Sequence, residues 1–215
     1  MRKILFAGAA LVVAFGSQAA SAATIISCGG ASSCITDTDN VLLDSATGVM
    51  VGTGETNTTP AASVEFTSTT DLLNLDASGQ ATISAVDEVL NSLTFTLLGG
   101  AIFERAEFNL FNGAANPLSV TIMTNTGSSE TFDIANANGA NRFGVTAGAG
   151  EALSSVTFTS AVGFDSLRQL RIGGVSTPGA IPEPGTWLML LVGFGLLGGV
   201  LRSAKRKQEV RVRYV

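Results

Sequence analysis

The chain is predicted to be all-β: a single antiparallel β-sandwich of jelly-roll type with eight to ten strands, an N-terminal signal peptide and a C-terminal transmembrane helix. Three observations predict this. Short segments of the central chain alternate apolar and polar residues with the period of two of a half-buried strand. Turn-forming groups rich in Asn and Gly separate them. Finally, two apolar runs with basic neighbours stand at opposite ends of the 215 residues.

Residues 1–22 read as a signal peptide. Arg2 and Lys3 give the basic start, Ile4 to Phe15 is an apolar run of twelve, and Ala20-Ser21-Ala22 is the small-x-small pattern cut before Ala23. The run falls short of the roughly 20 residues a membrane span needs. Signal peptidase is therefore an expected partner.

The domain of residues 23–175 opens with Cys28 and Cys34, the two cysteines of the chain, six positions apart. In an exported protein such a pair is expected to form a disulfide. No histidine is present to complete a metal site with the thiols. Next, Asp37 and Asp39 offer alternating oxygen ligands for a structural calcium in a loop. The twelfth residue counted from Asp37 is Gly48 instead of glutamate, which rules out an EF-hand. A solvated turn is the simpler account, so no cofactor is expected.

Strands are predicted over Val64–Phe66, Ala81–Val86, Leu93–Leu97, Ala106–Leu110, Leu118–Ile122, Val156–Thr159 and Arg168–Ile172. Turns are expected at Asn91-Ser92, Asn112-Gly113, Asn125 to Gly127, Asn138-Gly139 and Gly148 to Gly150. Phe66, Phe95, Phe103, Phe108, Phe132, Phe143 and Phe158 are the predicted core. Residues 176–181, with Pro178 and Gly179, form a short linker.

Charge and composition exclude several functions. Residues 23–181 hold fifteen acids against four arginines, a net charge of −11. Such a surface repels phosphodiester backbones, so nucleic acid is excluded as a partner. Without histidine, the usual Ser–His and Cys–His nucleophile pairs cannot form, and without lysine in 23–181 neither can a Schiff base. A glycosidase needs two facing carboxylates. Glu104 and Glu107, three apart on a strand, point to opposite faces. The chain is expected not to be an enzyme. Sugar sites often stack pyranose rings on Trp or Tyr, but Trp187 and Tyr214 are the only ones and both lie outside the domain. A sugar site would instead use polar groups with Arg142, Arg168 and Arg171 as donors. The simpler reading of the last strand's arginines is a solvent face.

Residues 182–215 form the C-terminal unit. Pro182-Glu183-Pro184-Gly185-Thr186-Trp187 is a polar box, the helix spans about 186–201, and Arg202, Lys205, Arg206 and Lys207 begin the basic tail of 202–215. Basic excess directly after an apolar run places the tail in the cytoplasm, and Trp187 suits the opposite interface. The spacing Pro182-Glu183-Pro184, Trp187, Gly193-Phe194-Gly195 and the basic tail resembles the PEP-CTERM sorting signal of exported proteins of Gram-negative bacteria, in its PEPxxW form. The resemblance implies recognition and processing by an exosortase, with the inner membrane holding the precursor beforehand. It also implies a final place at the cell surface or outside the cell, in association with exopolysaccharide and biofilm matrix. The expectation is thus a non-enzymatic surface or matrix protein, structural or adhesive. A carbohydrate-binding module is the alternative, ahead of a polysaccharide hydrolase.

Overall fold

The computed structural model describes residues 23–29, 33–78, 81–112, 117–135, 139–177, 192–194 and 196. Fourteen strands are found among them: β1 (Thr24–Gly29), β2 (Asp39–Leu43), β3 (Ala46–Val49), β4 (Val51–Thr56), β5 (Ser63–Thr67), β6 (Leu73–Asp76), β7 (Thr82–Ala85), β8 (Leu90–Leu97), β9 (Arg105–Asn112), β10 (Pro117–Thr124), β11 (Ser129–Ala135), β12 (Gly139–Thr146), β13 (Leu153–Phe164) and β14 (Ser166–Gly173). All seven strands expected from alternation lie within this set. All the pairings between strands are antiparallel, and they join the strands into one sheet, in the order β1-β12-β9-β14-β2-β4-β5-β8-β13-β10-β11. A branch, β3-β6-β7, attaches to β14.

Two expectations need correction. The strands exceed the predicted eight to ten, and they form one large sheet rolled nearly into a barrel instead of two separate sheets. The joint is β2. Its Asp39 and Asn40 pair with Ile172 and Arg171 of β14, while Val41, Leu42 and Leu43 pair with Thr56, Glu55 and Gly54 of β4. One short strand that changes partners midway thus carries the sheet round a corner.

The two flanks of the sheet face one another across a phenylalanine core. In β8, Leu93, Phe95 and Leu97 point inward while Thr94 and Thr96 point out, the alternation that predicted the strand. Phe108 of β9 meets Phe158 of β13 edge-on with ring centroids 4.8 Å apart, and Phe158 also touches Phe95 and Phe164. Phe66, Phe95, Phe103, Phe108, Phe143 and Phe158 are buried as expected; Phe132 is only half-buried, and Phe164 is a further core ring.

On the outer face opposite this core, register aligns one threonine from each of five neighbouring strands. Thr67 stands opposite Thr94, Thr94 opposite Thr157, Thr157 opposite Thr121, and Thr121 opposite Thr131. The hydroxyls of Thr94 and Thr157 lie 2.9 Å apart, and those of Thr121 and Thr131 3.0 Å. Such cross-strand pairs stabilise a sheet by roughly 0.2–1 kcal/mol each.

Turns at Asn125 to Gly127 and at Gly148 to Gly150 occur where predicted. Asn91-Ser92 is instead part of β8, where Ser92 pairs with Thr159 of β13; both backbone N–H groups donate to the carboxylate of Asp71, at 2.8 and 3.1 Å. The predicted signal peptide, the box at 182–187 and the basic tail lie outside the described residues. Of the expected C-terminal helix, residues 192–194 and 196 are described and are helical. No helix among the described residues is long and apolar enough to cross a membrane.

Removing the ring at the centre of the core should be costly. Phe158→Ala is expected to destabilise the domain by about 3–5 kcal/mol, read as a lower urea midpoint at unchanged slope. The outward Thr157→Ala should cost less than about 1 kcal/mol.

Candidate functional site

The outer face of β9, β12 and β14 is built differently from the threonine face. Arg105, Glu107, Asn109 and Phe111 of β9 point away from the core, yet Glu107 has no exposed surface at all and Asn109 is 8% exposed. The segment of residues 33–38 that follows the first cysteine reaches Glu107 and Arg105, while Gln169 meets Asn109. The disulfide between Cys28 and Cys34, with Cα atoms 5.4 Å apart, ties this segment to β1. Gly173 at the end of β14 lets it lie close, since a side chain there would run into the Asp37 carbonyl.

The covering segment is matched to Glu107. Oε2 accepts hydrogen bonds from Ser33 Oγ at 2.8 Å, Cys34 N at 2.9 Å and Ile35 N at 3.0 Å. Oε1 accepts from Arg142 Nη1 of β12 at 2.8 Å. Burial disfavours the charged carboxylate, but the backbone N–H groups of Cys34 and Ile35, Arg142 and Ser33 together outweigh it and hold the Glu107 pKa below its ordinary value. Asp71 is lowered in the same way: burial opposes ionisation, and Thr70, Asn91 and Ser92 overcome it.

Arg142 is engaged on both sides. Its Nη2 donates to Gln169 Oε1, which also accepts from Asn109 Nδ2 at 3.4 Å. Gln169 reaches this place through a bulge in β14. Arg168 pairs with Asn109 and Arg171 with Glu107, so three steps along β14 match two along β9. Gln169 takes a left-handed backbone conformation, φ 52°, uncommon outside glycine. The bulge also puts Arg168 and Arg171 on the same outer face, where an unbroken strand would separate them.

Beside this network lies an open cleft of about 500 Å³, lined by Asn40 to Leu43 of β2, Ala77 and Ala81 before β7, Arg142, and Gln169 to Arg171 of the bulge. Arg171 Nη2 donates to the Thr38 carbonyl at 3.1 Å, while its Nε is buried without a hydrogen-bond partner. Two of the three arginines predicted as sugar donors, Arg142 and Arg171, thus meet at one cleft. Arg168 does not join them: it lies over the Phe111 ring at 3.9 Å and faces a different hollow with Asp165 and Glu88. Arg171 is half-buried on the outer face, where it lines the cleft.

The other predicted ligands are dispersed. Asp37 is 85% exposed and 3.6 Å from Arg105, and Asp39 opens β2. Neither belongs to a group of three or more ligating side chains among the described residues. The one such group is Cys28, Cys34 and Glu107, and there the two sulfurs are bonded to each other. Glu104, on the surface, pairs with Arg105 at 2.6 Å.

The sequence offers Glu107 only as half of a carboxylate pair with Glu104, set aside on strand parity; that it is buried could not be read from Ala106-Glu107-Phe108-Asn109-Leu110, because the distant cysteine loop creates its surroundings. Its lowered pKa fixes the sign of an acid effect. The folded state binds this proton more weakly than the unfolded state. Its contribution is therefore full above the unfolded value near 4.5 and is lost as pH falls through the lower folded value. Glu107→Gln is expected to lose about 3 kcal/mol at pH 7, because Arg142 is left without its counter-charge. The variant's urea midpoint should then change less than the wild type's between pH 6 and pH 3. A parallel pH profile would show that another group carries the effect.

Comparison with known proteins gives one match at the C-terminus and weak ones to the fold. Residues 180–207 match the family model of the PEP-CTERM protein-sorting motif. No curated protein matches the chain. Among solved structures, two mutants of CBM29-2, a family 29 carbohydrate-binding module studied for its mechanism of ligand recognition, align at 12% identity. One alignment covers 67% of this chain and 96% of that one with a TM-score of 0.33; the other covers 71% and 89% with a TM-score of 0.29. Superposition at that level carries no argument about architecture or ligand. The assignment rests on the C-terminal match: at residues 180–207 this chain carries the PEP-CTERM motif, the sorting signal of exosortase substrates.

Proposed function

We propose that the chain is an exported, non-enzymatic protein of the cell surface or extracellular matrix, structural or adhesive, delivered by a signal peptide and processed by an exosortase. The observation that carries this is the sorting motif at 180–207, placed after a disulfide-tied β domain. A disulfide fits an oxidising compartment outside the cytoplasm. The absence of histidine from the whole sequence, and of lysine from 23–181, supports a role without nucleophilic or Schiff-base catalysis. A net charge of −11 on the domain favours solubility and spacing in a crowded matrix.

A second reading, a carbohydrate-binding module, is favoured by the cleft at Arg142, Gln169 and Arg171. Without aromatic residues in its lining, this cleft would grip a sugar by hydrogen bonds and charge instead of by stacking.

The processing reading is tested by intact mass and terminal peptides of the protein from its native host, in membrane and medium fractions. The expected product begins at Ala23 and ends near Pro182 to Gly185 in surface or released material. Recovery only of a membrane form that still contains Trp187 to Val215 would replace sorting with permanent anchorage.

A further inference from the structure

We infer that the cleft between β2 and the β14 bulge is a carboxylate-binding site that takes the uronate units of an acidic polysaccharide. The inference rests on the binding-module reading and names its ligand class.

The first support is the way charge is distributed. Residues 23–181 contain fifteen acids and four arginines, yet the cleft lining holds two of the arginines and none of the acids. Acids outnumber bases nearly fourfold, so a concave surface with no acid in its lining runs against the composition; with Arg142 paired to Glu107, Arg171 is the unbalanced charge of the cleft. An anion meets repulsion over most of this domain and attraction here.

The second support is that Arg171 is uncommitted. The three ion pairs among the described residues occupy Arg105 and Arg142 only. Among the described residues Arg171 has a single hydrogen-bond partner, the Thr38 carbonyl, and its buried Nε–H donates to nothing. A buried donor without an acceptor is costly, and a guanidinium is shaped to receive a carboxylate on two parallel N–H groups.

The third is preorganisation around it. Arg142 is held between Glu107 and Gln169. With Gln169 Oε1 accepting from both Arg142 and Asn109, the amide's remaining capacity is the donating Nε2 group. Asn40, exposed and directly across from Arg171, supplies a further amide at the rim. The left-handed backbone at Gln169 is the kind of local strain kept where a side chain must be re-aimed. The exposed Leu42 and Ala77 provide C–H surface for a sugar ring, and the cleft is open enough for a polymer to lie across it.

The test is calorimetric titration of the full chain in detergent with tetragalacturonate, with maltotetraose and a glutamate-rich peptide as controls. Expected is saturable binding of tetragalacturonate that weakens as salt rises, falls at least tenfold in Arg171→Gln, and is unchanged in Arg168→Gln, outside the cleft. Should Arg171→Gln fail to fold, the exposed Asn40→Asp, which sets a carboxylate opposite Arg171, should weaken binding by a similar factor. Maltotetraose should not bind. Absence of tetragalacturonate binding, equal binding of maltotetraose or of the acidic peptide, or binding untouched by Arg171→Gln or Asn40→Asp would each overturn the inference. None of these results would alter the termini of the processed protein, so the sorting reading stands or falls separately.

Discussion

A carboxylate with no exposed surface, Glu107, is the constraint around which one flank of the sheet is arranged. Buried charge is tolerated only when nearly every lone pair is used. Glu107 meets that requirement by drawing on two distant parts of the chain: the disulfide-tied segment of residues 33–35 and Arg142 of β12. Arg142 in turn needs an acceptor for its second nitrogen, which Gln169 supplies only because β14 bulges there. The disulfide loop, the bulge and the shape of the cleft are thus parts of one solution to burying a charge. In a loop this short the disulfide's chain-entropy contribution is modest, about 2–3 kcal/mol. Its larger role is positional, since it holds two backbone N–H groups and a hydroxyl over the carboxylate.

Charge is segregated along the chain as well as over the surface. The basic residues outside the domain stand at the two ends, and residues 23–181 between them are strongly acidic. The whole-chain value of −5 averages these opposed segments and describes neither. Within the domain the segregation repeats on a smaller scale, with Arg105 spent on Asp37 and Glu104 at the surface while Arg142 and Arg171 converge on one concavity.

How far the sequence could be read depends on what each strand buries. β5, β8, β9, β10 and β13 alternate large apolar with polar residues and were legible. β4, Val-Gly-Thr-Gly-Glu-Thr, was not, because its inward positions are glycines: Gly52 lies against the Leu75 side chain and Gly54 against the Leu42 carbonyl. β11 runs along the end of the sheet, where Phe132 and Ile134 are only half-buried and the alternation carries less apolar weight. The two-sheet expectation failed because a strand that changes partners, as β2 does, leaves no mark in hydrophobic periodicity. The cleft was partly legible: the arginines were singled out, but the bulge that brings Arg171 beside Gln169 depends on pairing with β9, which lies some sixty residues earlier. The sorting motif was the most legible feature, since it is a local string of residues and owes nothing to tertiary contacts.

The threonine face completes the surface. On β8, β13 and β10 the outward residues Thr94, Thr96, Ser155, Thr157, Thr159, Ser119, Thr121 and Met123 carry no charge, and the nearest acids, Glu65 and Asp133, stand at its margins. The domain's repulsion of its own kind is therefore direction-dependent. At physiological salt, where fields fade over about 8 Å, two copies approaching with these faces together meet hydroxyl and methyl groups before they meet opposing carboxylates. Packed densely on a surface, such molecules would orient one another, with the neutral sides turned inward and the acidic sides left to hold water and counterions.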